Sequence, residues 1–262
     1  MSYETIIYEK KDTVAKIILN RPEARNAMTG TTFMEIGQAL DDADKDDNIR
    51  VVVIKGNGKA FCAGVDLKFS MEQLKTLHDQ EKFFRFGNSV MLEKMESMGK
   101  PVIAQVHGYC LAGGFEMMLA VDLVVAAEDA RIGDQHINVG LYGAGGSPYR
   151  LPLLIGMRRA KDLLLAGRLL TGKEAEQMGL VNRAVPADEL ESTVDALAAD
   201  MASKGPLAMR LTKAYINRAV QVDYTSRLEH SLMSCLVLNS SEDYQEAMKA
   251  FNEKRKPVFK GR

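Results

Sequence analysis

The sequence predicts an α/β fold with crossover connections, followed by a mainly helical C-terminal third. Three observations carry this. Apolar runs of strand length alternate with helical periodicity through the first half of the 262-residue chain. The inner runs are apolar on successive residues, as in strands buried on both faces. After Leu151 the strand-like runs give way to helical spacing.

Residues 13–20 (TVAKIILN) are rich in β-branched residues and stop at Arg21-Pro22, which predicts a strand entering a loop. Phe33, Ile36, Leu40 and Ala43 recur at spacings of three and four, which predicts a helix over 31–43. Residues 50–55 (RVVVIK) form a second strand, and strand–helix–strand implies parallel pairing. The unit recurs with one long helical region over 71–98, a buried strand over 102–106, a glycine-rich turn, a short helix over 115–120 and a strand over 123–126. Farther on, Leu190, Val194, Leu197 and Met201 share one helical face, and Leu228, Leu232 and Cys235 another. The apolar faces within 206–220 and 227–238 need a partner surface, either the α/β core or another subunit.

Composition excludes several classes. Apolar residues are 46% and charged residues 26%, ordinary globular usage, so disorder and fibrous repeats are not indicated. A formal net charge of −1 argues against nucleic-acid or anionic-membrane partners, so any grip on phosphate must be local. Three scattered cysteines, Cys62, Cys110 and Cys235, fit neither a disulfide framework nor a zinc knuckle and point to a reducing cytoplasm. No signal peptide is read at the N-terminus. The most apolar stretch, 101–127, is interrupted by His107, Glu116 and Asp122, so no membrane span is expected.

The candidate chemistry sits in two small-residue turns. Ala63 and Gly64, within AFCAGVDL (60–67), allow a ligand to approach the backbone. Gly113 and Gly114 open a helix after a buried strand, where unpaired amides and the positive helix end face outward. Two such donors aimed at one point would form an oxyanion hole. The same glycines read equally as plain turn residues. Glu116 falls within an apolar run, where a carboxylate is either paired for structure or used to exchange protons with a raised pKa. His136, twenty residues on in GDQHI, is within reach of Glu116 by chain length. The loop GLYGAGG (140–146), which carries Tyr142, could wall a pocket and does not match a dinucleotide fingerprint. Arg25 and the basic tail, Lys254, Arg255, Lys256, Lys260 and Arg262, are either solvated or phosphate-binding.

Five segments together resemble the crotonase family, the enoyl-CoA hydratase/isomerase superfamily, over essentially the whole chain. They are IILNRPEARNAM (17–28), KAFCAGVDLK (59–68), GKPVIAQVHGYCLAGGFEMMLAVDL (99–123), LLTGKEAEQMGLVNRAV (169–185) and FNEKRKPVFKGR (251–262). The resemblance implies a ClpP-like spiral of ββα units over 1–200, carrying the CoA and catalytic site. It implies a C-terminal helical region over 201–262 that builds homo-trimers, often paired into hexamers. By position it assigns oxyanion amides to Val65 and Gly113 and the first catalytic glutamate to Glu116. Contacts to an acyl-CoA thioester fall on Arg25, Ala27, Ala63, Asp66, Leu67, Lys68, Tyr142, Phe251 and Lys254, with no metal and no cofactor beyond the CoA of the substrate.

The family pattern is departed from in two places. His136 stands where the hydratases carry their second glutamate, and the glycine loop runs one residue earlier relative to Gly140, with Ser147-Pro148-Tyr149 in place of the common threonine-glutamine. The expected activity is hydration or dehydration of an enoyl-CoA, straight, branched or cyclic. Isomerisation, decarboxylation or hydrolysis of an acyl-CoA, and non-catalytic acyl-CoA binding, are the alternatives.

Overall fold

Successive strands of this chain are too apolar to face water, and the fold buries them in a parallel sheet. The structure, a computed structural model, describes residues 3–219, 232–233 and 235–262. The chain opens with a hairpin of β1 (Ile6–Lys11) and β2 (Val14–Leu19), turning at Asp12 with φ 52°. The helix α1 (Gly30–Lys45) begins at a capping box formed by Thr29 and Thr32, and buries all four residues that its spacing picked out. It leads to β3 (Val51–Gly56), parallel to β2, with Val51 to Ile54 fully buried.

From β3 onward each long strand is followed by a short one. β3 continues into β4 (Ala60–Cys62), β5 (Val102–Val106) into β6 (Tyr109–Leu111), and β7 (Leu123–Ala127) into β8 (Arg131–Gly133). The long strands, closed by β9 (Arg183–Val185), form a six-stranded sheet in the order β1-β2-β3-β5-β7-β9, parallel except at β1. The short ones form a second, all-parallel sheet, β4-β6-β8, beyond the C-terminal ends of the first. The repeating unit is therefore two strands and a crossover connection.

The single helix expected over 71–98 is instead four pieces. These are α2 (Leu67–Gln73), α3 (Leu77–Gly87), a π-turn (Asn88–Leu92) and α4 (Glu93–Ser97). The break has local causes: Asp66 caps α2, and Thr76 with Asp79 forms a capping box that starts α3 afresh. Apolar periodicity misled here because Met71 and Leu77 are 74% and 84% exposed.

α5 (Gly113–Ala120) is entirely buried. α6 (Ser147–Ile155), α7 (Met157–Ala166) and α8 (Gly172–Met178) follow, then α9 (Leu190–Ala202). The mainly helical C-terminal third is therefore no plain appendage: it supplies β9, and α9 packs across the main sheet with Leu190, Val194 and Ala198 buried. Glu191 fastens α9 by pairing with Lys16 and Lys55 and accepting from Gln105. α10 (Pro206–Ala219) is pinned through buried Lys213, whose Nζ lies 2.7 Å from Asp122 Oδ2 and donates to the carbonyls of Met95 and Lys100.

Of the second predicted apolar set, Leu228 lies outside the described residues, while Leu232 is 58% exposed and Cys235 is exposed. In the first turn of the C-terminal helix (Glu242–Asn252), Asp243 accepts the amides of Lys260 and Gly261 and donates its own to the Arg262 carbonyl. The end of the chain thereby lies beside Arg50 and Pro206, at the N-terminal end of β3. Among the described residues no helix is long and apolar enough to cross a membrane.

Candidate active site

Two peptide segments meet beyond the C-terminal ends of the parallel strands. Residues 25–28 run alongside 63–66: Ala63 donates to the carbonyl of Arg25 (3.0 Å), Met28 to that of Gly64 (2.8 Å) and Asp66 to that of Met28 (2.9 Å). Extended backbone alternates its direction, so this pairing turns the Val65 amide away from residue 28. Gly64, at φ 107°, makes the required bend. The Val65 amide donates to no partner among the described residues.

It faces the start of α5. Gly113 is the first residue of that helix, so its amide has no acceptor within the helix, and α5 directs its positive end at the same place. A methyl placed on Gly113 would sit 3.4 Å from the Val65 nitrogen, and one on Gly64 would sit 3.1 Å from the Gly113 nitrogen. Two unpaired donors therefore border one small space. Gly114 is glycine for a different reason, since a Cβ there would come within 2.3 Å of the Cys62 carbonyl oxygen. The preceding Ala112 is held at φ 48°, ψ −120°, a region normally left to glycine, so backbone strain is stored at the residue that aims the Gly113 amide.

Glu116 lies three residues along α5, on the face shared with Gly113 and about 4.5 Å further along the axis. It is 5% exposed, and its Oε1 accepts from the Ser147 amide and hydroxyl, both at 3.3 Å. Burial raises its pKa above the usual carboxylate range; the positive charge of His136 and the Ser147 donors offset this in part. The glycine loop wraps the carboxyl closely. A Cβ on Gly145 would sit 2.5 Å from Glu116 Oε2, and one on Gly143 would sit 3.0 Å from Glu116 Oε1 and 3.2 Å from Asp134 Oδ2. Arg150, buried on α6, holds this loop by donating to the Gly145 carbonyl while gripping Glu96 at 2.6 and 3.0 Å.

His136 begins the turn after β8, with Nδ1 2.9 Å from Asp134 Oδ1. Burial alone would lower its pKa, but the bond to Asp134 and the charges of Asp134 and Glu116 raise it above the ordinary histidine value. Glu116 and His136 thus act on each other electrostatically. Cys62, the nearest thiol, is fully buried and pushed up to about 12 by burial, which removes it as a nucleophile near neutral pH. Among the described residues no cluster of His, Cys, Asp and Glu is arranged to hold a metal.

The remaining predicted residues divide. Ala63, partly buried, and Ala27 line the paired segments beside Val65. Asp66 is committed within the chain, capping α2 and pairing with Arg21 at 2.9 Å. Leu67 and Lys68 are exposed at the start of α2, and Arg25 is exposed with its guanidinium 5.1 Å from the Tyr109 ring centroid. Tyr142 is 76% exposed on the glycine loop. Phe251 and Lys254 are exposed at and beyond the end of the C-terminal helix. The last tail residues, Lys260 and Gly261, dock at the sheet end opposite Val65 and Gly113. Asp134, Ser147 and Arg150 went unassigned in the sequence, although the Asp-x-His spacing was visible there.

The comparisons with known proteins agree with this geometry. A family described as Enoyl-CoA hydratase/isomerase matches residues 9–262. The chain is 37% identical over 260 residues to a crotonyl-CoA hydratase of Syntrophomonas wolfei, covering 99% of both proteins. It is 35% identical over 257 residues to a short-chain-enoyl-CoA hydratase of Clostridium acetobutylicum, covering 98% of this chain and 97% of that protein. The crystal structure of an enoyl-CoA hydratase from Bacillus anthracis superposes with a TM-score of 0.94 at 34% identity, covering 99% of this chain and all of the other. One from Geobacillus kaustophilus gives 0.92 at 35% identity, with 99% of each chain covered. Sequence and fold thus converge over the full length, and the chain belongs to the enoyl-CoA hydratase/isomerase family, with the crotonase fold.

Proposed function

We propose that the protein adds water across the conjugated double bond of an enoyl-CoA thioester, and catalyses the reverse dehydration. The observation that carries this reading is the pair of unpaired amides, Val65 and Gly113, bordering one space a helical turn from the Glu116 carboxyl. A thioester carbonyl in that space would receive two hydrogen bonds that strengthen as charge moves onto its oxygen. Water then attacks the β-carbon, giving its proton to Glu116, while the π electrons move onto the thioester oxygen. The enolate collapses as His136 Nε2 delivers a proton to the α-carbon. Burial raises Glu116, as a proton acceptor working near neutral pH requires, and the charges of Asp134 and Glu116 raise His136, which suits it to donate. No cofactor enters beyond the CoA of the substrate.

Arg25, Ala27, Ala63, Asp66, Leu67, Lys68 and Tyr142 would line the path of the CoA and acyl chain, Asp66 through its backbone since its carboxylate is committed. Phe251 and Lys254 would meet CoA only from a neighbouring subunit, because the tail of the same chain docks at the far end of the sheet. The region 201–262 is accordingly read as the oligomerisation surface of a trimer or hexamer. Exposed Ile216 (62%), Met233 (60%) and Leu236 (53%) support that reading. The partner is a small-molecule thioester in the cytoplasm.

The test is turnover of a panel of straight, branched and cyclic enoyl-CoAs with product masses recorded, alongside His136→Ala. Gain of one water, lost in the variant, is expected. Double-bond migration without mass change would replace hydration with isomerisation, and unchanged turnover in the variant would remove His136 from the reaction.

A further inference from the structure

Resting on the reading above, we propose that Asp134 is a positioning residue of the reaction. It would hold the His136 ring by its Nδ1–H so that Nε2–H faces the substrate and the imidazole is kept as the acid. The family resemblance gave no role to this residue; its case is geometric. Asp134 Oδ1 receives both the ring Nδ1 (2.9 Å) and the backbone amide (3.2 Å) of His136, so ring and turn are fixed to the same oxygen. Nδ1 is engaged there, which leaves Nε2 as the nitrogen free to meet a ligand. The carboxylate is 5% exposed, and its other oxygen, Oδ2, is buried without a hydrogen-bond partner among the described residues.

A buried carboxylate so poorly provided with donors would ordinarily take up a proton. Burial pushes Asp134 upward, but the bonds from the His136 ring and amide, the Ser147 hydroxyl and the charge of His136 together outweigh it and hold the carboxyl below the usual range. The ring and the carboxylate therefore each favour the charged form of the other, with Ser147 assisting on the Asp134 side. The neighbouring charges do not compete for the ring. On α7, packed behind the turn, Arg159 donates to the Met178 carbonyl and Asp162 pairs with Arg168, with Arg158 and Lys161 exposed. On α6, Arg150 is committed to Glu96 and Gly145. Besides Asp134, Glu116 is the charged group that acts on His136. The closely packed glycine loop lets the two carboxylates approach one another: a side chain at Gly143 would collide with Glu116, Asp134 and Ser147 together.

The consequence is a pH dependence distinct from that of a structural residue. Hydration needs imidazolium, so its kcat/KM should fall on the alkaline side as His136 deprotonates, and removing the Asp134 charge should move that limb to lower pH. In Asp134→Asn, kcat should fall about 10²–10⁴-fold, the range for losing oriented proton transfer. Asp134→Glu should restore part of the loss and of the limb's position. A loss spread evenly over all pH, with the limb unmoved, would make Asp134 merely structural.

A second readout needs no substrate and stands if Asp134→Asn fails to fold. Nitrogen-15 NMR of the wild-type imidazoles, assigned with His136→Asn, should show His136 keeping both nitrogens protonated to a pH above the ordinary histidine value, with Nδ1–H strongly hydrogen-bonded. A neutral ring with bare Nδ1 would overturn the proposal. If the NMR result holds but no enoyl-CoA is hydrated, only the reaction assignment fails.

Discussion

Replacing Glu116 by Gln should make the protein more stable and nearly inactive, and both effects follow from the same burial. The side chain is 5% exposed on a helix that is otherwise apolar, so the charged form is disfavoured and its pKa is raised. Below the ordinary carboxylate pKa, near 4.5, the group is protonated in both folded and unfolded chains and contributes nothing. As pH rises past that value the unfolded chain releases its proton while the folded one retains it, so folding loses stability until pH exceeds the folded pKa. Each unit of elevation costs about 1.4 kcal/mol at neutral pH. Glutamine keeps the acceptor for Ser147 and never ionises. The Gln variant should therefore match the wild type near pH 4 and exceed it increasingly toward pH 7, in urea unfolding followed at several pH values. Its turnover, followed by loss of enoyl-thioester absorbance, should drop about 10²–10⁴-fold. A stability difference that does not change with pH, or turnover within a few-fold of wild type, would refute the reasoning.

Two further predictions concern the frame around the site. Lys213→Met leaves the partly buried Asp122 without its ion-pair partner and should cost about 1–3 kcal/mol of unfolding free energy, a loss that Asp122→Asn in the same chain should partly repair. Ala112→Gly should relieve the strained φ 48°, ψ −120° backbone and raise stability by about 1 kcal/mol in the same unfolding assay.

How much of this was legible in the sequence depended on the length of each signal. A buried run of four apolar residues and Gln105 gave β5 its limits without error, and the spacing of Phe33, Ile36, Leu40 and Ala43 gave the buried face of α1. The strands β4, β6, β8 and β9 are three residues each, too short for periodicity to register, so the second sheet and the last strand of the first were invisible. Only polar capping by Asp66 and Thr76 divides the helical stretch after β4, and hydrophobic pattern does not report it. At the site, Glu116 stood out because a carboxylate in an apolar run is costly. Asp134 did not, because an acidic residue in a loop looks solvated until a fold buries it against a histidine two residues away. The tail posed the opposite difficulty: its charges are plain in the sequence, but which end of the sheet they reach is decided by Asp243, seventeen residues before Lys260.

The account stands on the two amides. The direct measurement is the infrared carbonyl stretch of an enoyl-CoA labelled with carbon-13 at the thioester carbon, bound to the slow Glu116→Gln variant. Hydrogen bonds from Val65 and Gly113 should lower that frequency well below its value in water. A bound thioester whose carbonyl absorbs as it does in solution would contradict the account.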